Sequence, residues 1–329
     1  MTNINNKKIL LLVDGNAIVH RSYHGIPPLK TRDGQMVNAV YGFASTLLAS
    51  IKEFEPQYVV VAWDVGKKTF RNDKYKDYKA KRLKTPDELC AQFPLVKEFC
   101  EAFNIPQFGV KNYEADDVIG TICAKISNHE KKLSRLKGSK QSLKTIIITG
   151  DMDALQLVSN NVNVYSVSRG VKKAEIFDSE KVEKKYGFPA CYLSDYKGLR
   201  GDASDNIPGV LGIGDKTATI LIKKFQTIEK LYQFVQNDQS GSSVELSKIN
   251  VNLRIVNLLK KYKDQAFLSK ELATIKKDVD LDFSLTDAKL MNYDIDKVRK
   301  IFERFEFGSL YKKIPQFKTK ESILQNSLF

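Results

Sequence analysis

Three apolar runs in this chain end on an aspartate, and this repetition restricts the fold more than any other feature. Ile9-Leu10-Leu11-Leu12-Val13 stops at Asp14, and Tyr58-Val59-Val60-Val61-Ala62-Trp63 stops at Asp64. Thr145-Ile146-Ile147-Ile148-Thr149 leads through Gly150 to Asp151 and Asp153. Continuous branched-apolar runs of this length suit strands buried on both faces. Helical spacing separates them: Val40, Phe43, Ala44, Leu47, Leu48 and Ile51 recur within 36–54, and Leu89, Phe93, Leu95, Val96 and Phe99 follow Pro86. A short apolar segment at 105–108 and a further strand at 162–167 complete the pattern. It predicts an α/β fold: a mainly parallel central sheet with helices on both faces, in which ligands collect beyond the carboxyl ends of the strands. All four aspartates fall there.

Glu114-Ala115-Asp116-Asp117 opens a further helix that carries Val118, Ile119, Ile122 and Ile126. Carboxylates this close repel one another, so some stay protonated at neutral pH unless a cation lies between them. Asp202 and Asp205 add two acids in a later glycine-rich run. The candidates are therefore Asp14, Asp64, Glu114, Asp116, Asp117, Asp151, Asp153, Asp202 and Asp205. The three histidines, His20, His24 and His129, are too scattered to make a zinc set. An oxygen-only set favours Mg²⁺ or Mn²⁺, and this many acids suggests two ions sharing ligands. Two ions about 3.5–4 Å apart can flank a phosphodiester, one activating water and one stabilising the leaving oxygen. Each acid also has a plainer use. Asp14 and Asp64 would serve as helix caps, Asp116 as a favourable charge at a helix start, and Asp202 and Asp205 as turn residues.

Composition adds the partner. In 329 residues, 53 Lys+Arg stand against 39 Asp+Glu, a formal charge of +14 that attracts polyanions. Between 67 and 84, basic residues interleave with Phe70, Tyr75 and Tyr78, a pattern that can track phosphates and stack bases but equally describes a solvated lysine-rich segment. Gly209-Val210-Leu211-Gly212-Ile213-Gly214, with Lys216 after it, has the composition of a helix-hairpin-helix, whose backbone N–H groups hold a phosphate without reading a base. The four cysteines form no C-x-x-C pair and read as reduced residues. The polar first residues and the short run ending at Asp14 give no export or anchoring pattern, so a cytoplasmic location is expected. The expected division is an α/β core over 1–175, a helical part over 176–311 with the hairpin at about 199–225, and a basic tail over 312–329 that is partly disordered. The lysine-rich stretch 128–144 reads as a surface insertion.

Taken together, Val13-Asp14-Gly15, Trp63-Asp64, Phe70-Arg71, Tyr78-Lys79-Ala80-Lys81-Arg82, Glu114 to Gly120, Thr149-Gly150-Asp151, the run 201–218 and Ala266-Phe267-Leu268-Ser269 resemble the 5′ nuclease domain of bacterial DNA polymerase I, within the flap endonuclease family. The resemblance implies a PIN-like core and a Mg²⁺-dependent 5′-3′ exonuclease and flap endonuclease acting on 5′ flaps, nicked or branched duplex and RNA–DNA primers. Matching motifs would give Asp14, Asp64, Glu114 and Asp116 to a first metal, with Asp151 shared. Asp153, Asp202 and Asp205 would serve a second, and Asp117 either one. Lys79 and Arg82 match positions in a basic helical arch over about 67–90 that contacts the scissile phosphate. Arg21, Tyr23, Arg71, Tyr78, Gly209, Gly212, Gly214 and Lys216 would contact DNA, with a monovalent cation at the hairpin. A monomer linked functionally to a separate polymerase and ligase is expected, either standing alone or as part of a longer protein. Met152 departs from the family, which usually has Lys there. Two other readings fit less of the pattern. A non-catalytic DNA-binding protein need not keep every acid, as this chain does. A haloacid dehalogenase-type phosphatase needs a second Asp where Asn16 stands.

Overall fold

Alternation within the apolar runs sets two cores. In the first strand Leu10 and Leu12 enter one hydrophobic cluster, whereas Ile9, Leu11 and Val13 enter another on the opposite face. Tyr58, Val60 and Ala62 divide in the same way from Val59 and Val61. Period-two side chains buried on both sides require cover above and below the sheet. The computed structural model describes residues 8–66, 68–137, 143–168, 170, 173–237, 251–290 and 293–314.

The sheet has six strands: β1 (Ile9–Asp14), β2 (Tyr58–Ala62), β3 (Gln107–Phe108), β4 (Lys144–Thr149), β5 (Val162–Ser166) and β6 (Glu175–Phe177), in the order β3-β2-β1-β4-β5-β6. All neighbours are parallel except β5 and β6. In register, Asp14 lies beside Ala62, and Val13 beside Ile148. The aspartates at or just beyond the ends of β1, β2 and β4 therefore emerge at one edge.

Helices α1 (Gly15–Gly25), α2 (Asn38–Phe54), α3 (Phe70–Lys74), α4 (Asp87–Cys90) and α5 (Gln92–Ala102) precede α6 (Ala115–Lys137). Ile18, Val19, Phe43, Leu47, Val96 and Phe99 fill one face, and α6 covers the other with Val118, Ile119 and Ile122. The stretch read as an insertion from 128 is helical as far as Lys137; 138–142 lies outside the described residues, as do 238–250 and the tail from 315. The helical part comprises α7 (Ser179–Tyr186), α8 (Leu193–Arg200), α9 (Asp215–Phe225) and α10 (Ile228–Asn237), then helices Leu253–Lys261 and Lys263–Ala273. Helix Ile295–Arg304 returns to the core, where Phe302 packs on Phe99 with ring centroids 5.6 Å apart. Among the described residues no helix is long and apolar enough to cross a membrane.

Candidate metal centre and nucleic-acid cleft

The strand-end acids meet the start of α6. Asp14 caps α1, its Oδ1 accepting the Ala17 N–H at 2.9 Å, and its Oδ2 accepts the Thr149 hydroxyl at 2.8 Å. The capping role and the site role thus coexist in one side chain. Asp151, beyond β4, donates its N–H to Thr149 Oγ1 at 3.0 Å and accepts the Asp153 N–H at 2.9 Å. Asp64 is exposed at the rim, and its Oδ1 accepts the Ala115 N–H at 2.7 Å, satisfying the first turn of α6. Asp116 faces this group, and its Oδ1 is sealed from solvent with no hydrogen-bond partner among the described residues.

The electrostatics follow. Burial, reinforced by Asp64 and Asp151 and opposed by the Ala17 and Thr149 hydrogen bonds, pushes Asp14 up to about 7. Burial and then the charges of Asp14, Asp151, Asp153 and Glu114 hold Asp116 well above the ordinary carboxylate range. A group of acids that retains protons near neutrality is deficient in cation.

A second group already has its cation. Lys197 Nζ lies 2.6 Å from Asp202 Oδ2 and also contacts Asp153. Asp202 further accepts the Ser204 N–H at 2.9 Å and hydroxyl at 2.6 Å. Burial alone would raise Asp202, but Lys197 and Ser204 outweigh it and bring the carboxyl down to about 2. Asp153 is raised by burial to about 6 despite Lys197. Asp205 pairs with Arg82 at 2.6 Å and lies 3.7 Å from Lys79, which reaches Glu114 at 2.8 Å. Among the described residues no three acidic, His or Cys side chains close on one point as an ion cage. Sequence reasoning missed Lys197. Its only signal is a basic residue at the end of a helix, five positions before Asp202.

Four expectations are corrected by the structure. The basic segment is not a helical arch: α3 ends at Lys74, and 75–86 runs through turns until α4. Lys79 takes φ 57° with its N–H on the Asp205 carbonyl at 2.9 Å, so the backbone is drawn onto the acids rather than wound into a helix. Tyr78 is 4% exposed, its hydroxyl 3.2 Å from both Glu114 and Asp205, which removes it from DNA. Arg71, 3% exposed, and Asp117, 0% exposed, pair with each other inside the protein, so neither is available to phosphate or metal.

A cleft of about 650 Å³ runs from Asp151, Asp153 and Asp202 past Arg21 and Arg200. Arg21 donates to the Ser168 carbonyl. Tyr23 does not line this cleft and donates to Glu88 at 3.1 Å. Met152 is half-buried in the cleft wall, its sulfur accepting the Ser166 hydroxyl at 3.6 Å. In the glycine turn, Gly209 has φ 61°, and a Cβ there would meet the Gly201 nitrogen at 2.2 Å, so only glycine fits. Gly212 also has positive φ, and Gly214 faces open space as the N-cap of α9. Lys216 is exposed in the first turn of that helix. Free N–H groups at such a terminus suit a phosphate.

Comparison with known proteins gives the family and the fold. A family model described as 5′-3′ exonuclease, N-terminal resolvase-like domain, matches residues 9–187, and one described as 5′-3′ exonuclease, C-terminal SAM fold, matches 189–296. The chain is 34% identical over 322 residues to a 5′-3′ exonuclease of Aquifex aeolicus, covering 98% of this chain and 100% of that protein. It is 35% identical over 308 residues to DNA polymerase I of Bacillus subtilis, covering 94% of this chain and 32% of that protein. The chain thus spans about a third of the length of such polymerase relatives. Among solved structures, zinc-bound T5 5′-exonuclease superposes with a TM-score of 0.61 at 20% identity, covering 91% of this chain and 99% of that one. The catalytic core of Rad2 in complex with DNA gives 0.56 at 16% identity, covering 92% and 89%. These two share the fold.

Proposed function

Because the chain belongs to the 5′-3′ exonuclease family, we propose that it is a structure-specific 5′-3′ exonuclease and 5′-flap endonuclease that hydrolyses phosphodiesters with divalent ions. The observation that carries this reading is Asp116. Its Oδ1 has no hydrogen-bond partner among the described residues, it stands among Asp14, Asp151, Asp153 and Glu114, and the basic segment reaches the neighbouring acids through Lys79 on Glu114 and Arg82 on Asp205. Lys79 and Lys197 already serve Glu114 and Asp153, but the Asp14 and Asp116 carboxyls between them offer only oxygen and are short of positive charge, which fits a hard divalent cation.

Asp14, Asp64, Glu114, Asp116 and Asp151 would hold one Mg²⁺, and Asp153, Asp202 and Asp205 a second, with Mn²⁺ able to replace either. Bound there, the ions supply an activated water and neutralise the charge on the leaving oxygen. The chain's own side chains do the rest. Lys79 and Arg82, now on Glu114 and Asp205, exchange carboxylate for substrate phosphate once those acids are engaged elsewhere. Arg21 flanks the same cleft. Gly209, Gly212, Gly214 and Lys216 hold the duplex backbone, with a monovalent cation at the turn. The substrates are 5′ flaps, nicked or branched duplex and RNA–DNA primers, removed during replication and repair by a cytoplasmic monomer that hands nicks to a separate polymerase and ligase.

A 5′-labelled flap duplex incubated with the protein and Mg²⁺ tests the reading. Cleavage at the junction, abolished by EDTA and restored by excess Mg²⁺, is expected. Tight flap binding without cleavage would instead support a DNA-binding protein that keeps the nuclease fold.

A further inference from the structure

The sequence offers Arg71 as a DNA contact and Asp117 as a metal ligand, but the structure gives them to each other. An ionised carboxylate has about four acceptor sites, and Asp117 accepts four hydrogen bonds. Oδ1 takes Arg71 Nη2 and the Lys276 N–H, each at 2.8 Å. Oδ2 takes Arg71 Nη1 at 2.7 Å and the Glu114 N–H at 3.1 Å. Of the guanidinium's other donors, Nε goes to the Leu272 carbonyl at 2.9 Å and Nη2 to the Thr274 carbonyl at 3.0 Å, while Nη1 also lies 3.7 Å from Glu114 Oε2.

The partners come from three segments: α3, the start of α6 and 272–276. The last lies directly against α6, because a Cβ on Gly120 would meet Ile275 Cγ2 and the Lys276 carbonyl at 2.6 Å. Farther along, the Val279 N–H reaches Thr121 Oγ1 at 3.1 Å. Helix Lys263–Ala273, which leads into this segment, also holds the glycine turn. The Gly209 N–H donates to Ser269 Oγ at 3.0 Å, and Gln265 donates to the Gly209 carbonyl at 2.5 Å. A continuous set of contacts thus runs from the phosphate-binding turn, through one helix, to the backbone of Glu114 beside Asp116.

We propose that Arg71 and Asp117 form a positioning clamp that couples the seating of the glycine turn on duplex to the placement of Glu114 and Asp116, while touching neither metal nor phosphate. The proposal rests on the nuclease reading above. It explains why two charged residues beside a metal site are withdrawn from it: the pair fixes the ligand-bearing turn from behind, as outer partners of metal ligands do.

The test compares wild type with Arg71→Gln, Asp117→Asn and the double variant on a 5′-flap duplex. It measures kcat, KM, the Mn²⁺ concentration for half-maximal rate, the salt dependence of flap binding and the melting temperature. The clamp predicts that each single change lowers kcat about 10–100-fold with KM within about twofold. It also predicts that the double variant is no slower than the slower single. The salt slope stays at the wild-type value. The double variant melts at or above the less stable single, because neither charge is left alone. Loss of about one unit of salt slope in Arg71→Gln would make Arg71 a phosphate contact and overturn the clamp. So would an increase in Mn²⁺ requirement in Asp117→Asn matching that of Asp116→Asn, or single effects that multiply. If wild type bound flap without cutting it, the nuclease reading would fail. The clamp would then stand or fall on non-additive melting and the unchanged salt slope.

Discussion

The two acid groups are built from the same residue type and lie side by side, yet they are in opposite electrostatic states. Around Asp14 and Asp116 no Lys or Arg among the described residues pairs with either carboxyl, both carboxyls are raised, and one oxygen of Asp116 has no partner among those residues. Around Asp202, Lys197 and the Ser204 hydroxyl hold the carboxylate at about 2. The first group gains a cation only from outside the chain. The second must give up a lysine to accept one. The difference therefore predicts unequal ion affinity: the first group binds divalent metal by displacing protons, and the second competes with Lys197.

The largest effect that separates the groups is on turnover. Asp116→Asn removes a carboxylate from the cation-poor group and should reduce flap cleavage more than about 100-fold, beyond the loss typical of an outer partner, while flap binding persists. Gel-shift and single-turnover rates on the same preparation check this. An intermediate effect is expected from Lys197→Met. Removing its charge should return Asp202 toward the ordinary range and lower the Mn²⁺ needed for half-maximal rate, making the second group resemble the first. Unchanged metal dependence would show that Lys197 does not compete.

A smaller effect appears in stability. Asp14 sits near 3.8 in the unfolded chain and about 7 when folded. The folded protein therefore binds more protons than the unfolded one between those values, and stability falls as pH rises through that window. Without divalent ion, the melting temperature should be higher at pH 6 than at pH 8, and Mg²⁺ at pH 8 should recover the difference. The mildest change is Lys216→Ala, remote from both groups. It should weaken duplex binding uniformly and reduce the salt slope by about one, leaving metal dependence as it was.

The sequence reached different depths in different places. Strand-end aspartates were legible because a buried parallel strand leaves a recognisable apolar run, and whatever follows it lies at one edge. The hairpin glycines were legible because the backbone at Gly209 tolerates no side chain. Asp116 and Asp117 could not be separated, since adjacent helical residues lie about 100° apart and only the packing of α6 shows which one faces the strand ends. Asp117 turned to Arg71, 46 residues away in sequence, a pairing that no local pattern announces. Tyr78, Lys79 and Arg82 had the expected basic and aromatic character, but the Lys79 N–H on the Asp205 carbonyl and long-range side-chain bonds to Glu114 and Asp205 set their conformation instead of helix propensity. Lys197 was hidden for the same reason. Its role depends on Asp153, delivered by another strand.

Calorimetric titration with Mn²⁺ of wild type, Asp116→Asn and Lys197→Met tests the central contrast most directly. The expected result is a tighter, proton-releasing event in wild type that disappears in Asp116→Asn and survives in Lys197→Met, where a weaker second event becomes stronger. A tight event of undiminished affinity in Asp116→Asn would contradict the account, because the cation-deficient group would then not be the primary ion site.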